Sequence, residues 1–201
     1  MSEARIGRVL VASLHQAIAD VLPMRLEFYE NWLNASGLRG GTIGLAPLSA
    51  VLSFLRQEGP AYDEITRRAG GYAAEWTVRS LPGMERRLIN VLPMPLRVRA
   101  ALRAGRMLIR NTYPGSRALM KLKKGEASVD LRGSLFCEVR EASALPLCGF
   151  YAAALGRVLQ LFSIEARMQV VECRASGTRQ GCTFAIALST SPVVEVPEHV
   201  A

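Results

Sequence analysis

Cys137, Cys148, Cys173 and Cys182 are the four cysteines of this 201-residue chain, and their spacing decides what chemistry they can do. A thiolate attacks electrophiles or binds soft metal ions, whereas a buried thiol packs as a small hydrophobe. Cys173 and Cys182 bracket a polar, glycine-containing connection between two runs that read as strands, "RMQVVECRA" and "CTFAIALS". A hairpin there brings them to about the 4.5–5.5 Å of facing strand residues. That distance admits a disulfide, two thiolate ligands on one zinc ion, or simple packing. Nucleophilic catalysis needs a base beside the thiol. The two histidines, His15 and His199, lie near the ends of the chain, so no catalytic residue is assigned. Cys148 sits at the first turn of a helix. Cys137 falls in the run "SLFCEVRE", where strand alternation sets it beside Leu135 and Val139 as a core residue. A closed zinc tetrahedron needs a fourth ligand, and the candidates are Glu172, Cys137 or water.

The elements that must position these residues follow from hydrophobic period and from proline. Val9, Leu10, Leu14, Ile18, Val21 and Leu22 recur at helical spacing and stop at Pro23. "MRLEFYENWLNASG" is a second short helix ended by Gly37, and "LRGGTIGLAP" is a glycine-rich connection without the lysine of a phosphate-binding loop. Pro47 and Pro60 open two further helices, and Pro82 and Pro93 divide the next stretch into more. After Lys124 the period changes. "ASVDLRG" and "SLFCEVRE" predict a hairpin about Gly133, "PLCGFYAAALGRVLQLF" a buried helix, and the two cysteine-bearing runs a second hairpin. The expected fold class is α+β: N-terminal helices packed on a four-stranded antiparallel sheet, with a β-β-α-β-β C-terminal half. The domain reading is 1–46 as helical segment and glycine-rich loop, 47–190 as the main domain with its core motif at 121–188, and 191–201 as a loose tail.

Half of the residues are hydrophobic, enough for a core without disulfide staples, and no window has the apolar length of a membrane span. The N-terminus lacks a signal-peptide cleavage pattern, and four unstapled cysteines favour a reducing, cytoplasmic setting. The net charge of +8 is concentrated: residues 79–124 hold twelve basic side chains against Glu85 alone, a net +11, so the remainder carries −3. Such a segment favours an acidic protein, an anionic membrane surface, or carboxylate and phosphate ligands. No nucleic-acid-binding signature accompanies it.

The stretch "GSLFCEVREASALPLCGFYAAALGRVLQLF…VVECRASGTRQGCTF" resembles the 4-vinyl reductase domain family. The resemblance rests on Cys148 at a helix start and on the unit formed by Glu172, Cys173, Ala175, Gly177, Cys182 and Phe184. It covers roughly Lys121 to Leu188, and the helical stretch upstream is similar in pattern to bacteriochlorophyll-pathway members. The family implies a fold like that of TRAPP-complex subunits and a homodimer formed through helices. It also implies a small aryl or phenolic ligand in the sensory members, together with a cysteine-rich zinc site. Cys148, Cys173 and Cys182 match three of those zinc-binding cysteines. The carboxylate that the sensors place three residues before the middle cysteine is Val170 here. The resemblance implies Glu172 as a candidate replacement, which a local bulge would have to bring round, beside Cys137 and water.

The expected function is therefore a small-molecule-binding protein: a carrier, accessory factor or stand-alone sensor for a hydrophobic aromatic or tetrapyrrole-like ligand. Its expected ligand-binding residues are Tyr72, Trp76, Arg106, Arg110, Tyr113, Phe136, Phe150 and Tyr151, around an apolar cavity between helices and sheet. The alternatives are a vinyl reductase of pigment synthesis and a TRAPP-like protein- or membrane-docking scaffold. A reductase needs an electron source, and the sequence carries no nucleotide-cofactor, flavin or iron–sulfur fingerprint.

Overall fold

A computed structural model of the protein describes residues 6–33, 44–123, 125–177 and 180–188. Seven α-helices occur among them: α1 (Arg8–Val21), α2 (Leu26–Leu33), α3 (Leu45–Gln57), α4 (Pro60–Ser80), α5 (Gly83–Val91), α6 (Met94–Thr112) and α7 (Gly149–Leu161). The four strands are β1 (Arg117–Lys123), β2 (Glu126–Arg132), β3 (Ala166–Glu172) and β4 (Gly181–Leu188), paired antiparallel throughout in the order β1-β2-β4-β3. The α+β class expected from the pattern is the class observed. Of the glycine-rich connection expected over 38–47, residues 38–43 lie outside the described residues, as does the tail from Ser191, while Leu45–Pro47 form the first turn of α3 rather than loop.

Proline and leucine spacing explain most helix limits. Pro60 opens α4 at its first turn, Pro82 and Pro93 are the residues before α5 and α6, and Pro23 stops α1. Helix α7 carries no acid, and its buried residues Phe150, Tyr151, Ala154, Leu155, Val158 and Leu159 cover most of its surface. It lies between α4 and the sheet, with α6 beside it. The inner sheet face presents Val129, Leu131, Cys182, Phe184 and Ile186, all buried, while Lys121, Ser128, Gln169 and Ala185 face outward. Residues from Ile6 to Ile186 share one hydrophobic core. Among the described residues no single helix is long and apolar enough to cross a membrane.

The first hairpin differs from its sequence reading. "SLFCEVRE" is not a strand: Leu135–Cys137 form a 3-10 turn followed by irregular chain. The first strand is instead "RALMKLK", residues 117–123, pairing with 126–132 around Gly125. Ala118, Met120 and Leu122 alternate there with Arg117, Leu119, Lys121 and Lys123, a period of two hidden inside a basic run that reads as helix. Cys137 consequently sits in a turn rather than on a strand face.

Candidate metal centre and ligand groove

Four separate pieces of chain deliver the four thiols to one place. Cys137 ends the 3-10 turn, Cys148 is the N-cap of α7, Cys173 follows β3, and Cys182 is the second residue of β4. Arg56 on α3 holds the first piece, its Nη2 donating to the carbonyl oxygens of Phe136 (3.2 Å) and Glu138 (3.4 Å). The Tyr62 hydroxyl on α4 donates to the Leu147 carbonyl at 3.1 Å, just before Cys148. The Ser143 amide donates to the Ala175 carbonyl at 2.7 Å and so ties the 138–147 segment to the turn after Cys173. Removing the hydroxyl in Tyr62→Phe is expected to cost about 1 kcal/mol, because the Leu147 carbonyl loses a buried donor. Urea unfolding monitored by far-UV circular dichroism measures it.

A bulge sets the direction of Cys173. Val170 pairs with Phe184, but the next pair is Glu172 with Thr183, so Val171 is an extra residue in β3. Paired residues share a sheet face. Val170 therefore points inward with Phe184, Glu172 outward with Thr183, and Cys173 inward toward Cys182. The Thr183 hydroxyl donates to Glu172 Oε2 at 3.3 Å on that outer side. The bulge expected from the sequence exists, yet it turns Glu172 away from the thiols and leaves Cys137 as the fourth member. After Cys173 the chain makes a 3-10 turn that closes at Gly177, whose φ of +80° is a left-handed conformation suited to glycine.

The sulfur distances are 3.4 Å for Cys137–Cys173, 3.5 Å for Cys137–Cys182 and 4.0 Å for Cys173–Cys182, and all four Sγ atoms lie within 4.8 Å of one another. Zinc–sulfur bonds of about 2.3 Å at tetrahedral angles separate neighbouring sulfurs by about 3.8 Å. The three measured distances bracket that edge. All four cysteines are buried and free of disulfides. Hydrogen bonds from Cys137, Cys148 and Cys182 hold the Cys173 thiol below the ordinary thiol range, and those from Cys137 and Cys148 do the same for Cys182. Cys148 is pushed up by its hydrogen bonds to Cys137, Cys173 and Cys182 and by burial. The Arg174 amide donates to the Cys182 sulfur at 3.5 Å. Backbone donors aimed at sulfur are the second-layer contacts that stabilise thiolates around a soft metal. This donor set fits a closed, four-thiolate tetrahedral centre, which would leave no coordination position open. His15 is elsewhere, paired on α1 with Glu30 of α2 at 2.6 Å.

The ligand residues expected from the sequence fall into three places. Phe136, Phe150 and Tyr151 are fully buried and fill the interior against one another. Phe136 and Phe150 stack with centroids 4.7 Å apart, and Tyr151 stands edge-on to both at 5.6 and 5.2 Å. The Tyr151 hydroxyl lies 3.4 Å from Ser116 Oγ. Tyr72 and Trp76 stack on α4, where the Tyr72 hydroxyl donates to Asp20 Oδ2 of α1 at 2.6 Å. Tyr113 follows α6, half-buried. Arg106 and Arg110 line a groove of about 950 Å³ between α5, α6 and the start of β1.

That groove has residues that the sequence reading did not single out. Its floor includes Leu81, Ile89, Leu92, Ala104 and Met107, and Arg99, Arg103 and Arg117 join Arg106 and Arg110 around it, with Glu85 as the one acid. Arg99, Arg103, Arg106 and Arg110 are four, three and four residues apart, the spacing of one helix face, and this was the available signal. Arg106 is anchored through Nε, which donates to the Ala118 carbonyl at 3.1 Å.

No protein-family model matches the chain, and no curated protein matches it. Solved structures do match. An H-NOX protein from S. oneidensis in its Fe(II)NO ligation state superposes with a TM-score of 0.58 at 10% identity, over 92% of this chain and 99% of that one. The phenol-responsive sensory domain of the transcription activator PoxR, solved with phenol, superposes with a TM-score of 0.50 at 13% identity, over 73% of this chain and 75% of that one. Both likenesses are of fold. A trafficking protein particle complex subunit 3 from Naegleria fowleri reaches only 0.46 at 11% identity, over 89% of this chain and 96% of that one, too distant to weigh.

Proposed function

We propose that this chain is a small-molecule-binding domain of the 4-vinyl reductase type, working as a carrier, accessory factor or stand-alone sensor. Its ligand has a flat apolar body bearing at least one carboxylate. The observation that carries this reading is the groove between α5 and α6, an apolar floor flanked by four arginines of one α6 face and by Arg117. Its volume lies within the roughly 300–1,000 Å³ of small-molecule sites. Arginine pairs carboxylates with two parallel hydrogen bonds, and an apolar floor selects an aromatic or tetrapyrrole-like body over a hydrated ion. The fold shared with a phenol-responsive sensory domain supports the same class of function. Zinc held by Cys137, Cys148, Cys173 and Cys182 is the structural clasp of this domain and stands apart from the ligand.

Native mass spectrometry of freshly purified protein tests the reading, followed by thermal-shift titration with aryl carboxylates and carboxylated porphyrins. A retained mass or a saturable shift is expected. Arg106→Gln with Arg110→Gln should weaken that binding about tenfold or more, the loss of a charge-assisted hydrogen bond. Absence of both retained mass and shift removes the proposal, and unchanged affinity in the double variant moves the ligand out of this groove.

A further inference from the structure

Helix α5 carries more apolar surface outside than inside. Of its nine residues only Ile89 is buried. Met84, Leu88 and Val91 are 83%, 59% and 77% exposed, and Met94 and Leu96 continue the exposed series into the start of α6. Met84, Leu88 and Val91 are four and three residues apart, so they form one stripe along the helix. The stripe is the crest of a ridge with arginines on both flanks. Arg86 and Arg87 line the cleft on one side, where Arg79 and Arg157 of α7 are paired with Glu75, while Arg99 and Arg103 line the ligand groove on the other.

Exposed apolar side chains on a short, shallowly seated helix need a partner, and the charge around them selects it. The segment 79–124 carries +11 with Glu85 as its single acid. A second copy of this chain would set two such segments face to face across a two-fold axis, which like-charge repulsion opposes. An apolar crest between basic flanks instead matches the boundary layer of an anionic bilayer, where apolar side chains enter the acyl region and arginines meet phosphate and carboxylate head groups. We propose that the α5 ridge, through Met84, Leu88 and Val91 with Arg87 beside them, docks this protein on anionic lipid surfaces. Leu88 also lines the ligand groove, whereas Met84, Val91 and Arg87 do not, so the test variants are placed at those three.

The test is co-sedimentation of the full chain with phosphatidylcholine vesicles containing about one-third phosphatidylserine, the anionic lipid that sets such surface potentials. Binding is expected at low salt, with release as salt screens the arginines. The double variant Met84→Asp/Val91→Asp changes only crest residues outside the ligand groove. It should lose at least about tenfold in vesicle affinity, as removal of two inserted apolar side chains demands. Arg87→Gln should lose about fivefold, one basic residue's share at an anionic surface. Unchanged melting temperature and retained ligand in both variants separate this loss from misfolding and from failure of the groove. Equal sedimentation with pure phosphatidylcholine, or wild-type affinity in the double variant, overturns the proposal. So does capture by poly-glutamate without vesicle binding, which assigns the ridge to an acidic protein. Self-association abolished by the crest variant, seen in analytical ultracentrifugation without vesicle binding, assigns it to a second copy and equally overturns the lipid assignment.

Discussion

Cys137→Ser and Cys173→Ser are each expected to release zinc from the protein and to lower its melting temperature by about 6–12 °C. That shift corresponds to a loss of roughly 3 kcal/mol in a chain of this size. A serine hydroxyl is a poor ligand for a soft ion, and each remaining thiolate would lie buried with less charge to neutralise it. Because the site closes only when the 3-10 turn, the α7 N-terminus and both strand ends have come together, binding energy there is folding energy. Elemental analysis for zinc per chain, with melting measured before and after a chelator, checks the result. Glu172→Gln is the informative control. Its carboxylate faces the opposite side of the sheet, beside Thr183, so zinc content should not change. Full zinc in Cys137→Ser with loss in Glu172→Gln would reverse the assignment of the fourth ligand. Unaltered melting in every cysteine variant, with no zinc in the wild type, would reduce the cluster to packed thiols.

Gly70→Val should destabilise the protein as strongly, by about 3 kcal/mol or about 6–12 °C, through a different cause. A Cβ on Gly70 would stand 2.3 Å from the Phe150 carbonyl oxygen and 3.0 Å from both Ala153 Cβ and the Ala154 amide nitrogen. These are main-chain atoms or a methyl group without a rotamer to change, so α4 and α7 would have to separate. Separation moves Cys148, the N-cap of α7, relative to the other thiols, and zinc should become easier to strip with a chelator. The neighbouring glycine gives the opposite sign. Nothing lies within 4 Å of a Cβ built on Gly71, so Gly71→Ala should stabilise α4 by about 0.5–1 kcal/mol, raising the melting temperature by about 1–4 °C. Differential scanning calorimetry of the two variants side by side checks both. Equal shifts of one sign would mean that the crossing of α4 and α7 is not as close as described.

The helices were legible because proline marks their starts and apolar period marks their faces. Pro60, Pro82 and Pro93 fell beside the observed boundaries of α4, α5 and α6. The hairpin of β3 and β4 was legible from two alternating runs around a glycine-rich turn. The strand β1 was not, because Arg117, Lys121 and Lys123 extend a charge run begun in a helix, and alternation over seven residues is a weak signal beside it. For the centre, Cys148, Cys173 and Cys182 were named from a hairpin and a resemblance. Cys137 was named as a core residue first and a ligand second, since a turn that folds back from β2 toward α7 leaves no local period to read. The groove was half legible: Arg106 and Arg110 were selected, whereas its apolar floor is assembled from α5, α6 and the residues around them, which only the fold brings together.

The bulge at Val171 has a consequence for how the chain tolerates change. A strand assigns its side chains to two faces by parity, odd to one and even to the other, and the extra residue switches that parity once between Val170 and Glu172. Before the switch Met168 and Val170 pack against the hydrophobic core, and beyond it Cys173 reaches the thiol cluster while Glu172 takes the outer side. One residue thus lets a single strand serve two sites that would otherwise compete for the same face. Substitutions at Val171, which is exposed, should be read by evolution as nearly silent, while a change of length there exchanges the places of Glu172 and Cys173.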